Sequence, residues 1–482
     1  MNLERLTRSL PFEFRIIGDS TTEIKRLCTD SRKDCADALF FCINGLHMDA
    51  HQLAPEVVQK GAASLVVERK LELDVPQIVV PNVRQAMSYI ASEFYYCPAK
   101  ELKMIGITGT KGKTTTSFML RNILNAAGYK TGLIGTVCVL IGDKELEAGK
   151  TTPDPVEFYA ILRQMADAGV EYVIMEVSAH ALDMHRIDGI RFATGGFTNF
   201  SQDHLDYFGT MDKYLDAKLK IIPMMDGKLA VNADDERVFQ AVSAKTDHYS
   251  KLAIREKADT YANGIEVDEG GMSFSLNFHN RASEKIHLRM SGIFNVYNAL
   301  MASAIADELG IDIEYIKKGL ESLANVPGRV ELLDTHTPYR VILDYAHSPD
   351  ALENVLKSLR QSTKQRLIAV FGCGGGRDKL KRPIMGEIGG KLADFCVITS
   401  DNPRDEEPMS IIDSIEDGIK KVTDRYIVIE NRREAIRYAM QHAQAGDTVV
   451  LAGKGHETYQ EIKGVKHHFD EKQIVKELLA EI

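Results

Sequence analysis

The stretch from Leu102 to Thr115 constrains the fold of this chain more than any other. An apolar run, Leu102–Ile107, leads into Gly106-Ile107-Thr108-Gly109-Thr110-Lys111-Gly112-Lys113-Thr114-Thr115, and a helical pattern follows from Thr114 to Ala127. Strand, glycine-rich turn and helix in that order bring backbone N–H groups and the positive end of a helix dipole to one spot, a cradle for phosphate oxygens. Lys113 adds a point charge for the β- and γ-phosphates, and the hydroxyl of Thr114 or Thr115 is placed to ligate Mg²⁺. The match to G-x-x-x-x-G-K-[ST] is imperfect: five residues separate Gly106 from Gly112, and Ile107 stands where the first glycine belongs. The alternative is a glycine turn that binds nothing.

The rest of the chain is large enough to surround such a loop with several cores. Its 482 residues allow two to four domains. Asp and Glu outnumber Lys and Arg, 69 to 59, which argues against a nucleic-acid coat or a polybasic membrane binder and leaves room for local basic pockets. No apolar run reaches the 18 residues of a membrane span, and the start lacks the basic and apolar regions of a signal peptide. The seven cysteines are scattered without C-x-x-C pairs, as expected in a reducing compartment. A cytoplasmic protein without nucleic-acid or membrane partners is expected.

Three blocks emerge. The first mixes strand-like runs (Ala38–Ile43, Ala63–Val67, Gln77–Val80) with a helix over Val83–Phe94, and closes on a linker at Cys97-Pro98-Ala99-Lys100. The second adds strands at Glu171–Val177, Phe192–Thr198 and Lys228–Asn232 with helices between them, at Pro155–Ala168 and Met211–Ile222, and a helix at Asn295–Leu309. The third starts near Pro327-Gly328-Arg329 and repeats the rhythm, with strands at Tyr339–Tyr345, Arg366–Phe371, Phe395–Thr399, Tyr426–Ile429 and Thr448–Ala452. Strands alternating with helices imply mainly parallel sheets, whose carboxyl ends collect ligands.

Several strand ends carry chemistry. Glu176 closes the run Tyr172–Glu176; buried and unpaired it would be costly, so either Mg²⁺ or a neighbouring lysine is expected beside it. Phe197-Thr198-Asn199-Phe200-Ser201-Gln202-Asp203-His204-Leu205-Asp206-Tyr207 is a dense set of potential ligands after the next strand. Lys218, in a helical segment, is by default a surface lysine. Hydroxyls of Lys150-Thr151-Thr152-Pro153 could cap the helix after them. In the third block, Gly372–Gly376 with Arg377, Ser400-Asp401-Asn402-Pro403-Arg404, and Gly453-Lys454-Gly455-His456-Glu457 follow three strands. They direct Arg377, Asp401, Arg404 and Glu457 toward one crevice, where arginine suits a carboxylate and glutamate an ammonium, as for a zwitterionic amino acid. The alternative is salt bridges among loops.

Taken together these motifs resemble the Mur ligase family over essentially the whole chain. Thr-Gly-Thr-x-Gly-Lys-Thr-Thr is similar to the ATP loop of Mur ligases and of folylpolyglutamate synthase, with Lys111 where the family usually has asparagine. The resemblance implies an α/β protein of three domains. These are a small UDP-binding α/β domain (1–98), a central P-loop ATPase-like domain with a mainly parallel sheet (99–327), and a Rossmann-like C-terminal domain (328–482) that takes the amino acid. It implies ATP at Gly109, Thr110, Lys111, Gly112, Lys113, Thr114 and Thr115, with Asn295 on the adenine side and Arg329, Asp344 and His347 closing from the third domain. The bland readings are a helix cap for Asn295 and turn chemistry for Asp344.

Further implications are Mg²⁺ at Thr114, Glu176, His204 and an N-carbamylated Lys218, with Lys113, Glu176, His204 and Lys218 catalytic. A nucleotide-sugar substrate falls at Ser31, Thr151, Thr152, Ser178 and Arg186, although Ala179 stands where the family often has serine. Asp-Asn-Pro-Arg resembles the branch that adds meso-diaminopimelate, placing that amino acid at Arg377, Asp401, Asn402, Pro403, Arg404, Gly453 and Glu457. Arg404 would pair the carboxylate that diaminopimelate has and lysine lacks. The implied activity is a monomeric, ATP-dependent, amide-forming ligase of peptidoglycan and cell-wall synthesis, acting through an acyl phosphate on a UDP-N-acetylmuramoyl dipeptide. The rival readings are the lysine-adding ligase, folylpolyglutamate synthase and a nucleotide-binding regulator without ligase activity.

Overall fold

The structure, a computed structural model, describes residues 1–45, 48–268, 271–279 and 283–481. The chain divides into two compact units. One comprises Met1–Thr108, Gly128–Gly196 and Asp216–Leu229; the other comprises Gly109–Ala127, Phe197–Leu215 and Ala230–Ile482.

The first unit holds a five-stranded sheet of β1 (Arg15–Ile17), β2 (Arg26–Cys28), β3 (Ala38–Phe41), β4 (Ser64–Val67) and β5 (Gln77–Val79), in the order β1-β5-β4-β3-β2. Only β1 runs antiparallel to its neighbour. The helix Val83–Phe94 has the bounds its periodicity predicts and packs Val83, Ala86, Met87 and Ile90 into the core beneath the sheet. Cys97, just before Pro98, lies outside any helix at φ +51°.

The same unit carries β6 (Lys103–Thr108), β7 (Thr131–Ile134), β8 (Cys138–Ile141), β9 (Lys144–Glu147), β10 (Tyr172–Glu176) and β11 (Thr194–Phe197), in the order β11-β6-β10-β7-β8-β9. The pairs β6/β10 and β10/β7 are parallel, as the alternation of strand and helix requires, while β7/β8 and β8/β9 are antiparallel. Their links are too short for the crossover that parallel strands need.

In the second unit, β12 (Leu229–Asn232), β13 (Tyr249–Ala253), β14 (Thr260–Asp268), β15 (Gly271–Phe278) and β16 (Glu284–Leu288) are neighbours in that order. The antiparallel run β14–β16 has no counterpart among the expected elements and adds an antiparallel edge beside the parallel pair β13/β14. Its signal was present as strict alternation in Gly271–Phe278, whose every second side chain is buried. The helix Lys113–Ala126 packs on Ile293–Glu308 and Ile313–Ser322, so closely that a Cβ at Gly319 would fall 2.4 Å from the Cα of Ile123.

The third block, also in the second unit, forms β17 (Glu331–Leu333), β18 (Arg340–Asp344), β19 (Leu367–Phe371), β20 (Phe395–Ile398), β21 (Tyr426–Val428) and β22 (Thr448–Ala452), in the order β17-β18-β22-β19-β20-β21. From β18 to β21 every pairing is parallel, so all five carboxyl ends lie on one edge. Apolar clusters cover both faces of this sheet. A hairpin, β23 (Tyr459–Ile462) and β24 (Val465–His468), follows β22. Among the described residues no helix is long and apolar enough to cross a membrane.

Candidate active site

The phosphate loop opens the helix Lys113–Ala126, with Gly112 as the residue before it at φ +81° and Gly109 at φ +136°. Both conformations favour glycine, and a side chain at either position would have to displace a neighbour. A Cβ at Gly109 would lie 1.9 Å from Thr198 Oγ1, and one at Gly112 would lie 2.3 Å from Asn298 Oδ1. The Lys113 ammonium folds back over the loop and donates to the carbonyls of Gly109 (2.9 Å) and Thr110 (3.1 Å). Thr114 and Thr115 are buried at the first turn.

Thr198 and Asn199 clamp this loop, a role the sequence reading does not assign to them. The Asn199 carboxamide accepts from the Lys111 N–H (2.9 Å) and donates to the Lys111 carbonyl (3.1 Å), and the Thr198 hydroxyl donates to the same carbonyl (2.6 Å). Lys111 Nζ donates to Ser348 Oγ at 2.9 Å and lies 3.4 Å from Asp203 Oδ2. Burial pushes the Asp203 carboxyl up, but Lys111, His204, His347 and Lys113 together hold it well below the usual carboxylate range.

From the third block, Arg329 Nη2 donates to Thr114 Oγ1 at 3.3 Å, and the guanidinium lies over the Tyr345 ring, 4.9 Å from its centre. Asp344 is buried and accepts from Val330 N–H and Ala346 N–H, both at 2.7 Å. It therefore fixes the turn that carries Arg329. His347 keeps one ring nitrogen on the Tyr345 carbonyl (2.7 Å), and burial with Lys111 and Lys381 nearby pushes its pKa down to about 4. Asn295 lies inside its helix and is no cap: it donates to the Ser291 carbonyl and accepts from Asn298, whose side chain abuts Gly112.

In the first unit, Glu176 stands opposite Ile107 at the carboxyl ends of β10 and β6. Its two oxygens accept from the Thr136 N–H and hydroxyl, each at 3.0 Å. Thr136, absent from the expected set, also meets the Thr151 hydroxyl at 3.0 Å. The Thr152 hydroxyl caps no helix; it donates to the Glu176 carbonyl (2.8 Å) and accepts from the Ser178 N–H (3.1 Å), while Arg186 donates to the Thr152 carbonyl (3.0 Å). Thr151, Thr152, Ser178, Arg186 and Glu176 are thus assembled at one strand end. Ser31 lies apart from them, in the loop between β2 and β3, its carbonyl bonded to Lys60. Lys218 is 1% exposed, so the default of a surface lysine is corrected: its helix turns that side chain inward.

Among the described residues no three His, Cys, Asp or Glu side chains form a protein-only metal cage. Mg²⁺ takes one or two carboxylates together with phosphate oxygens and waters. The oxygen chemistry of buried Glu176 beside hydroxyl donors fits such an ion. His204, in the second unit, is a half-exposed residue at φ +54° whose N–H is bonded to Asp203 (3.0 Å).

At the carboxyl edge of the third sheet, Asn402 Nδ2 donates to Glu457 Oε2 (2.9 Å), and Lys454, fully buried, donates to Asn402 Oδ1 (3.1 Å) and Glu457 Oε2 (3.2 Å). Burial raises the Asp401 carboxyl, but Lys454 and Arg432 outweigh it and leave the pKa lowered. A Cβ at Gly453 would fall 2.4 Å from Asp401 Oδ2. Pro403 turns the chain over Gly375, and Arg404 Nη1 donates to the Gly375 carbonyl (2.7 Å). Arg377 stays outside this network, largely exposed and 4.0 Å from Asp206. Beneath it, the fully buried pair Arg432–Glu471 (2.7 Å) ties the β22 end through Ala452. Lys454 and Arg432 escaped sequence reading because only burial distinguishes them from surface cations.

A glycine-rich loop at the start of a helix, clamped by a Thr-Asn segment, is the arrangement of a nucleotide-binding protein. Residues 107–306 match the Mur ligase middle domain and residues 328–455 the Mur ligase glutamate ligase domain. The chain is 45% identical over the full length of both proteins to UDP-N-acetylmuramoyl-L-alanyl-D-glutamate–2,6-diaminopimelate ligase 1 of Clostridium acetobutylicum. It is 42% identical, again over both full lengths, to the ligase of the same specificity from Clostridium tetani. A solved structure of a UDP-N-acetylmuramoyl-L-alanyl-D-glutamate–2,6-diaminopimelate ligase superposes with a TM-score of 0.70 at 30% identity, covering 100% of this chain and 99% of that one. The chain belongs to the Mur ligase family, ATP-dependent enzymes that form amide bonds.

Proposed function

We propose that this ligase joins meso-diaminopimelate to UDP-N-acetylmuramoyl-L-alanyl-D-glutamate in peptidoglycan synthesis. The observation that carries the reading is the cluster at Asp401–Arg404 and Glu457, where a fixed guanidinium and a fixed carboxylate stand at the edge of one parallel sheet. A diamino dicarboxylic acid has the complementary charges. Full-length relatives bearing that name support the same choice.

The reaction runs in two steps. A carboxylate oxygen of the acceptor's D-glutamate attacks the γ-phosphorus of ATP, and ADP leaves, giving an acyl phosphate. The diaminopimelate amine then attacks the acyl carbon, and inorganic phosphate leaves with its bonding pair while the amine loses a proton. The chain's part is positioning and charge neutralisation. Gly109–Thr115 hold the phosphates and Lys113 meets the charge that moves onto the leaving oxygens. Arg329, steadied by Asp344 and Tyr345, approaches from the third block, with His347 beside it; Asn295 serves the adenine side. Mg²⁺ neutralises phosphate charge when bound, and Thr114, Glu176, His204 and a carbamylated Lys218 would hold it. The carbamate reading rests on the family resemblance, and burial sets Lys218 apart from an ordinary solvated surface ammonium.

Thr151, Thr152, Ser178, Arg186 and Ser31 take the UDP-sugar substrate, in keeping with a UDP-binding domain over 1–98, an ATP-binding domain over 99–327 and an amino-acid domain over 328–482. Diaminopimelate contacts come from Arg377, Asp401, Asn402, Pro403, Arg404, Gly453 and Glu457. A monomeric cytoplasmic enzyme without nucleic-acid or membrane partners completes the reading. The test is ADP release with ATP and the UDP-dipeptide, comparing meso-diaminopimelate, L-lysine and no amino acid. Turnover with diaminopimelate alone is expected; turnover with lysine would overturn the specificity, and no turnover with any would overturn the reaction.

A further inference from the structure

Arg404 is gripped by a residue outside the Asp-Asn-Pro-Arg segment. It adopts φ +52°, a region non-glycine residues enter rarely, and the hairpin that follows β22 pins it there. Its N–H donates to the Glu461 carbonyl at 3.0 Å, and its own carbonyl accepts from the Lys463 N–H at 2.8 Å. The side chain of the same glutamate closes the grip: Arg404 Nε donates to Glu461 Oε2 at 3.0 Å. On the other side, Nη1 donates to the Gly375 carbonyl at 2.7 Å. The glycine loop leaves room for this placement, since a Cβ at Gly374 would lie 3.0 Å from Nη1 and one at Gly376 would lie 3.8 Å from Cδ.

A guanidinium carries five N–H donors in a planar fork. The two bonds to Glu461 and Gly375 engage Nε and one hydrogen of Nη1, and they orient the edge formed by Nη1 and Nη2. A carboxylate meeting that edge finds two parallel donors, the bidentate geometry that gives arginine its selectivity. The pair is about one quarter exposed on each side, so it is open to a small polar ligand and still ordered.

We propose that Glu461 is a specificity-positioning residue: it fixes the Arg404 guanidinium on the glycine loop so that the Nη edge faces the second carboxylate of a diamino dicarboxylic acid. The proposal rests on the ligase reading above and goes beyond it by placing the discrimination in the β23 hairpin. Glu461 acts through Arg404 and not on the reacting atoms.

The test compares wild-type protein with E461A and E461Q in steady-state turnover with ATP and the UDP-dipeptide, varying meso-diaminopimelate and L-lysine. E461A is expected to raise KM for diaminopimelate about tenfold, with kcat within about twofold and KM for ATP unchanged. E461Q keeps an acceptor for Nε and is expected to stay within about threefold of wild type. A wild-type KM for diaminopimelate in E461A overturns the proposal. So does equal impairment of E461Q and E461A, or a matching rise in KM for ATP, which would indicate general damage to the hairpin. Wild-type protein that ignores diaminopimelate overturns the ligase reading and this inference with it, whereas a failure confined to the variants leaves the ligase reading standing.

Discussion

Lys111 of the phosphate loop donates to Ser348 at 2.9 Å, joining the loop to the start of the helix Pro349–Ser362, 237 residues further on. The same ammonium lies 3.4 Å from Asp203. Lys111 thus ties the nucleotide loop to the block that supplies Arg329 and His347. Asparagine is too short to reach both partners.

Lys111→Asn is therefore expected to destabilise the protein by about 1 kcal/mol, the size of a partly exposed ion pair with one hydrogen bond. KM for ATP should rise less than about tenfold. Lys113→Ala, which removes the charge poised over the loop carbonyls, should lower kcat by about two to three orders of magnitude. Denaturant unfolding and steady-state kinetics on both variants measure the contrast; equal losses of kcat would refute it.

A side chain at Gly109 or Gly112 would have to displace Thr198 or Asn298, which line the loop. Gly109→Ala combines a left-handed φ with a contact at 1.9 Å, and Gly112→Ala one at 2.3 Å. Each should cost about 2–4 kcal/mol or shift the loop so that ATP binding is lost. Calorimetric titration with ATP and thermal unfolding read the two outcomes, and an alanine variant that binds normally would contradict the loop geometry.

Buried Lys218 is expected to react with CO₂. Protein equilibrated with ¹³C-bicarbonate should give a carbamate carbon resonance that disappears in Lys218→Ala. That variant should lose at least about a hundredfold in kcat, by comparison with the loss of other charge-stabilising groups. Absence of the resonance in active wild-type protein would remove the carbamate from the mechanism.

His347 sets a pH dependence. Its pKa is lowered to about 4 by burial, with Lys111 and Lys381 adding to the effect, against about 6.5 when unfolded. Between those values the unfolded chain binds the extra proton, so stability falls as pH drops from about 6.5 toward 4 and is fully present above that window. His347→Gln should flatten the slope of Tm against pH across it. An unchanged slope would show that other groups govern acid unfolding.

The sequence by itself determined the phosphate loop, the α/β rhythm and about half of the described strands, with the helices Val83–Phe94 and Lys113–Ala126 among the few helices it placed. Those signals are local: Gly-Lys-Thr after an apolar run, Val83–Phe94 with one apolar face, and strands such as Thr448–Ala452 that are apolar throughout because both faces are covered. It also supplied the motifs whose order resembles one family. Tertiary structure alone decided which polar groups meet. Thr198 and Asn199 hold the phosphate loop, Thr136 holds Glu176, Asp344 supports Arg329, and Glu461 grips Arg404. None of these partners lies in the same turn of chain. Periodicity tells which side chains face a core, but a hydrogen bond depends on ångström-scale distances between loops that strand order brings to one edge. For the same reason Lys218 reads by default as a surface lysine in the sequence and is buried in the fold, and nothing in the sequence marks Lys454 as buried.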